Sequence, residues 1–253
     1  MPKVQPPAER AVAAARRVLG EAGKARTGRG PIDVEALAVA HGAMVLYAPL
    51  STARGVLVRT GTSAIIHVDA RAVRRPWARF TVAHELGHHL LHSLVDHNRQ
   101  CTAADEPRGD GAWEIEREAS DFGTELLIPE ARGSAYCAVE RAGVDHIDRL
   151  ARAFEASFEM SAIRFTELTM APCAVVASEG GAVKWALESL TFPGTIAKWR
   201  PLHRESVAAR LPARAGADWE REVPGGAWKS AQPLVERAWR TRRGRTLSWI
   251  VAV

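Results

Sequence analysis

The sequence predicts an α+β protein in two parts: a mainly helical N-terminal domain with a small antiparallel sheet, residues 1–170, and a smaller C-terminal α+β domain, residues 171–253. Three observations predict it. Apolar residues recur with helical spacing through much of the first part, three short runs rich in β-formers interrupt them between residues 44 and 68, and strand-like alternation takes over beyond Pro172. A chain of 253 residues is long enough to bury a full core and to divide in two.

Taken in order, Pro6-Pro7 opens an alanine- and arginine-rich helix expected to end near Gly20 or Gly23, and Asp33 is placed to cap a second helix that stops at Gly42. Strands are expected at 44–47, 55–59 and 64–68, the last two joined by a turn at Thr60-Gly61-Thr62-Ser63. A helix over 80–94 sets Ala83, Leu86, Leu90 and Leu94 on an inward apolar face, with His84 and His88 off that face. The next helix begins near Trp113 and ends at Pro129. Further helices reach Thr169, and those at about 140–170 have a helix-turn-helix cadence, the second starting near Ser161. Between Ile163, Phe165 and Leu168 the only charged residues are Arg164 and Glu167, too little to read base edges, so packing is expected there rather than DNA contact. The C-terminal domain is expected to hold strands at 173–178 and 182–187 around Glu179-Gly180-Gly181, and a last one at 247–253. Trp185, Trp199, Trp219, Trp228, Trp239 and Trp249 are read as its core and interfaces, and a sensing or substrate-binding role falls to it.

The net charge of +5 is unevenly spread: Arg and Lys dominate 1–30 and 199–245, Asp and Glu 105–130. The arginines are interspersed with Trp, Pro and Glu rather than clustered, which fits solvated surface better than a nucleic-acid face. Cys101, Cys137 and Cys173 leave one thiol unpaired in any disulfide scheme and form no CxxC pair, as expected of a reducing compartment. No apolar run reaches the roughly 18 residues of a membrane span, and residues 1–17 lack the uninterrupted apolar core of a signal peptide. A cytoplasmic protein that engages no membrane is expected.

The chemistry lies in His84-Glu85-Leu86-Gly87-His88, an HExxH box. Positions four apart on a helix face the same way, so both imidazoles can converge on one ion. Two neutral imidazoles leave a divalent cation short of ligands and of negative charge, so a carboxylate is wanted third, with water in the fourth place. Glu85, beside them, is the candidate base for that water. Downstream, Glu116 has Ala119, Ser120 and Gly123 at three, four and seven residues on, a stripe of small side chains that lets another helix approach. Glu114, Glu118, Asp121 and Glu125 point elsewhere and read as a solvated acidic face, while His89 and His92 read as hydrogen-bonded structural residues.

The stretch from Arg79-Phe80-Thr81-Val82-Ala83 through the box to His89-Leu90-Leu91-His92, with Glu116-Arg117-Glu118-Ala119-Ser120-Asp121-Phe122 and Leu126-Leu127-Ile128-Pro129, resembles the ImmA/IrrE family of bacterial metallopeptidases. The resemblance is strongest over 32–169. It implies a zincin-like domain of the gluzincin type, a metal held by His84, His88 and Glu116, and Glu85 as the catalytic residue. The ion implied is Zn2+, with Mn2+ as the alternative. The partner implied is a protein substrate, an XRE-type helix-turn-helix repressor whose cleavage induces a stress or mobile-element response. Where the family often has Asn or Asp to orient a metal-bound histidine, this chain has Ser120, with Asp121 one residue out of register; both are candidates for that supporting role. Asp69 and Trp77 stand where the family often has Asn and Arg. In gluzincins an edge strand before the HExxH helix holds the substrate backbone, which here would be 64–68. The group that stabilises the oxyanion is left open among Tyr47, Tyr136, Arg79 and His92. The rival readings are a DNA-binding regulator using 147–169, whose metal site is structural or sensory, and a proteolytically inactive protein-binding antidote.

Overall fold

The computed structural model describes residues 8–27, 30–51, 53–60, 63–73, 75–92, 100–101, 110–241 and 244–252. Pro6-Pro7, the centre of the Thr60–Ser63 turn at Gly61 and Thr62, Leu94 and the last residue of the expected final strand lie outside these residues. The chain divides into two compact units. One takes in the described residues up to Glu130 together with Ala151–Met160, and the other Ala131–Leu150 and the chain from Ser161 onward.

In the first unit α1 (Glu9–Thr27) leaves helical geometry at Gly23, one of the two expected stops. Helix α2 (Val34–Ala40) begins where the Asp33 carboxylate accepts the Ala36 N–H at 3.0 Å, a side-chain cap on an otherwise unsatisfied donor. Strands β1 (Ala43–Ala48), β2 (Gly55–Thr60) and β3 (Ser63–Asp69) appear as the β-rich runs predict, and β4 (Gln100–Cys101) adds a short fourth. Their order is β1-β3-β2-β4. The sheet is mixed rather than antiparallel: β2 and β3 form the expected hairpin, but β3 inserts between β2 and β1 and so runs parallel to β1. It follows that 64–68 is no edge, since β3 is hydrogen-bonded on both sides.

Helix α3 (Pro76–Leu91) carries the HExxH box and starts with proline at its first turn, where the missing N–H costs nothing. Every residue from Thr81 to His88 is buried, so His84 and His88 do not lie on a face apart from the apolar one. The reason is position: α3 is packed by the sheet, by α1, by α2 and, most closely, by α4 (Asp110–Leu127). A Cβ at Gly87 would fall 3.1 Å from the Phe122 ring and 3.2 Å from the Ala119 backbone. Glycine there lets the two helices cross at backbone contact. That is the close approach read from the small residues after Glu116.

Helices α5 (Glu130–Cys137), α6 (Val144–Phe154) and α7 (Phe158–Leu168) follow. The turn between α6 and α7 is made at Glu155, with φ 49°, so α7 starts at Phe158 rather than Ser161. The second unit is built on five antiparallel strands ordered β6-β5-β9-β8-β7: β5 (Cys173–Glu179), β6 (Ala182–Glu188), β7 (Asp218–Val223), β8 (Leu234–Arg240) and β9 (Thr246–Ala252), with a short helix α8 (Val207–Arg210). Strands β5, β6 and β9 were legible in the sequence; β7 and β8 were not. Val176, Phe192, Trp228, Leu234 and Ile250 centre its core. Trp228 and Trp249 are buried as expected, whereas Trp199 is 52% exposed, with Lys184 Nζ 4.6 Å from its ring centre. Among the described residues no helix is long and apolar enough to cross a membrane.

Candidate metal centre

Because α3 places His84 and His88 one turn apart and the Gly87–Ala119 contact draws α4 close, Glu116 meets both imidazoles. His84 Nε2 and His88 Nε2 lie 3.1 Å apart, His84 Nε2 is 3.2 Å from Glu116 Oε2, and His88 Nε2 is 3.5 Å from Glu116 Oε1. One ligand atom from each residue falls within 4.8 Å of the others. A tetrahedral ion with bonds of about 2.0–2.1 Å needs ligand atoms about 3.3 Å apart, so the three edges fit such an ion. The protonation states fit as well. Burial pulls the His88 imidazole down to about 4, and although burial pushes Glu116 up, hydrogen bonds from His84 and His88 hold it well below the usual carboxylate range. At neutral pH the site therefore offers a neutral His88 nitrogen and a charged carboxylate, the forms that bind a cation.

Around this triad the second ring nitrogens are engaged. His84 Nδ1 lies 3.3 Å from the Ser120 hydroxyl. His88 Nδ1 lies 3.1 Å from His92 Nδ1, and His92 Nε2 is 3.0 Å from Glu118 Oε2. Burial lowers the His92 pKa, which keeps this ring neutral. Asp121 is turned away: it accepts the Ala8 N–H at 2.9 Å and faces Arg117 at 3.6 Å, fastening the start of α1 to α4. Glu118 and Glu125 do not form a solvated face, because α1 lies along α4 and brings Arg10 to 3.5 Å of Glu118 and Arg16 to 2.9 Å of the buried Glu125. His89 has the structural role expected, donating to the His41 carbonyl at 3.1 Å.

Glu85 is fully buried and faces β2. A Cβ at Gly55 would lie 2.7 Å from Glu85 Oε1 and 2.4 Å from Thr81 Cγ2, so only glycine leaves the carboxylate its room. The other end of β2 serves the same helix: Arg59 donates to the carbonyls of His88 and His92, satisfying last-turn acceptors and setting a cation at the negative end of α3. Neither residue was singled out by sequence. A glycine opening a strand and an arginine near its end carry no signal until the strand is placed beside the helix.

Among the oxyanion candidates, Tyr47 donates to Glu35 at 2.7 Å, and burial with that bond pushes its hydroxyl up to about 12. Arg79 donates to the Ile32 carbonyl at 2.7 Å and faces Glu155 at 3.5 Å, His92 is joined to His88, and Tyr136 belongs to the other unit. Asp69 caps the turn at 70–72 and pairs with Arg71 at 2.6 Å, while the Arg54 guanidinium lies 5.4 Å from the Trp77 ring centre.

Residues 38–166 match the family model of the IrrE N-terminal-like domain, Peptidase_M78. Among solved structures 11 chains match. One is a Mycobacterium tuberculosis transcriptional regulator, 17% identical, which superposes with a TM-score of 0.63 over 97% of this chain and 77% of its own. That likeness is one of fold. No curated protein matches the chain.

Proposed function

The chain belongs to the Peptidase_M78 family of the IrrE N-terminal-like domain, and from that premise we propose that it is a zinc-dependent endopeptidase that cuts an XRE-type helix-turn-helix repressor. Cleavage would relieve repression of a stress or mobile-element response. The observation that carries the reading is the meeting of His84, His88 and Glu116 beside the buried Glu85. A zinc or manganese ion held by these three would lower the pKa of a water from about 15.7 toward 7 and polarise the scissile carbonyl. The chain's own residues do the rest. His84 and His88 would hold the ion through ring nitrogens, and Glu116 would supply one negative charge. Glu85, next along the helix from His84, takes the proton of the attacking water and returns it to the departing amide nitrogen, so no acyl-enzyme forms. Burial of His84, Glu85 and His88 shields these interactions from bulk water, while the partly exposed Glu116 leaves the site open on one side. Cys137 and Cys173, free and buried, support a cytoplasmic setting.

The test is to mix the zinc-loaded protein with an XRE-type repressor and follow the cut. Wild type should cleave, and Glu85→Gln should keep its zinc while losing about 10²–10⁴-fold in rate. Cleavage by Glu85→Gln at the wild-type rate would sink the mechanism. A second reading, a DNA-binding regulator using 147–169, is favoured by the solved neighbour, which is named a transcriptional regulator. It predicts a salt-dependent shift of operator DNA. Against it, Arg164 on α7 is 4% exposed and engaged by Glu167 at 3.0 Å, leaving that helix little to offer a base edge.

A further inference from the structure

We infer, on the reading of His84, His88 and Glu116 as metal ligands, that His92 is a positioning residue: with Glu118 it fixes the tautomer and ring orientation in which His88 presents Nε2 to the ion. The direction of the hydrogen bonds decides this. Glu118 Oε2 lies 3.0 Å from His92 Nε2, and a carboxylate only accepts, so that nitrogen carries the hydrogen. In a neutral ring Nδ1 of His92 then holds a lone pair, and it faces His88 Nδ1 at 3.1 Å. When His88 gives Nε2, the nitrogen turned toward Glu116 and His84, to the ion, the hydrogen of the neutral ring must sit on Nδ1, and His92 Nδ1 is placed to accept it. A metal-ligating histidine needs this arrangement.

The relay is anchored at both ends. Arg10 of α1 lies 3.5 Å from Glu118 Oε2 and donates to the Leu91 carbonyl at 2.5 Å, while Arg59 of β2 donates to the carbonyls of His88 and His92. His84 is held differently. The Ser120 hydroxyl at 3.3 Å from its Nδ1 can donate or accept, so it orients the ring without choosing the tautomer. The i, i+4 step that joins His84 to His88 is repeated from His88 to His92, and the repeat converts one helix face into ligand, ligand and support.

The experiment measures zinc affinity of the full chain by competition with a chromogenic chelator, with helix content followed by circular dichroism. His92→Phe keeps the ring shape but removes the acceptor; it should bind zinc about 10- to 100-fold more weakly. His92→Asn, whose amide oxygen falls near the place of Nδ1, should restore affinity toward wild type. Glu118→Gln should weaken binding in the same direction as His92→Phe, without touching the helix core. Wild-type affinity in His92→Phe, beside loss of zinc in His88→Ala, would overturn the positioning role and leave the metal site standing. His92→Asn no better than His92→Phe, with equal helix content, would also overturn it. A wild-type chain that takes up no zinc would overturn both.

Discussion

Glu85 owes its place to a residue that has no side chain. Gly55 opens β2 directly over the carboxylate and over the Thr81 methyl, so Gly55→Ala must push both aside. A displacement of about 1 Å at a proton-transfer group costs on the order of 10²-fold. Gly55→Ala should therefore lower kcat/KM by at least about tenfold while zinc affinity stays within a few-fold of wild type. Equal losses in both would show that the site as a whole, rather than Glu85, had been disturbed. At this scale the sequence was legible for the groups whose spacing is set within one helix, His84, Glu85 and His88. Glu116 was legible through the small residues that follow it. Gly55, Arg59 and Glu118 act on the box across tertiary contacts, and no local pattern announces such a contact. His92 was read as structural because the sense of its hydrogen bonds depends on Glu118, which lies on another helix.

Among the elements, those that periodicity defines were found and those that pairing defines were not. Strands β1, β2 and β3 follow from their β-branched runs, but the parallel pairing of β1 with β3 depends on where the hairpin inserts. Strands β7 and β8, Asp-Trp-Glu-Arg-Glu-Val and Leu-Val-Glu-Arg-Ala-Trp-Arg, carry charges at positions an isolated strand would fill with apolar residues. One of those charges is Glu236, fully buried on β8. It accepts from the Val207 and Ala208 N–H groups at the start of α8, from Trp228 Nε1 and from the Ser248 hydroxyl, at 2.7, 3.0, 2.8 and 2.9 Å. Burial pushes its pKa above the ordinary 4.5, against the pull of those donors. A folded-state value above the unfolded one means that the folded unit holds the proton more tightly. This contribution is complete below the unfolded value and is lost as pH rises through the folded one. Urea midpoints of wild type should accordingly fall from mild acid to neutral pH more steeply than those of Glu236→Gln. Parallel profiles would contradict the assignment.

For the whole molecule, the proposed metal site predicts that stability and metal binding are linked. His84 and His88 come from α3 and Glu116 from α4, so an ion that they share ties two helices of the first unit together. Unfolding scatters the three ligands, and an ion that prefers the folded chain stabilises it by mass action. With free zinc at about 100 times its Kd the gain is about 2.7 kcal/mol, or a rise of roughly 5–10 °C in melting temperature. A chelator should reverse it, and a melting point indifferent to zinc would count against a site built on the folded structure. The uneven charge seen along the sequence also takes shape at this scale, since Arg10 and Arg16 of α1 face Glu118 and Glu125 of α4 rather than a distant anion. The most direct test of the centre is equilibrium dialysis of the purified chain against zinc, with His88→Ala and Glu116→Ala alongside. One zinc per wild-type chain, lost in both variants, is the predicted result; no uptake by wild type, or full uptake by either variant, would contradict it.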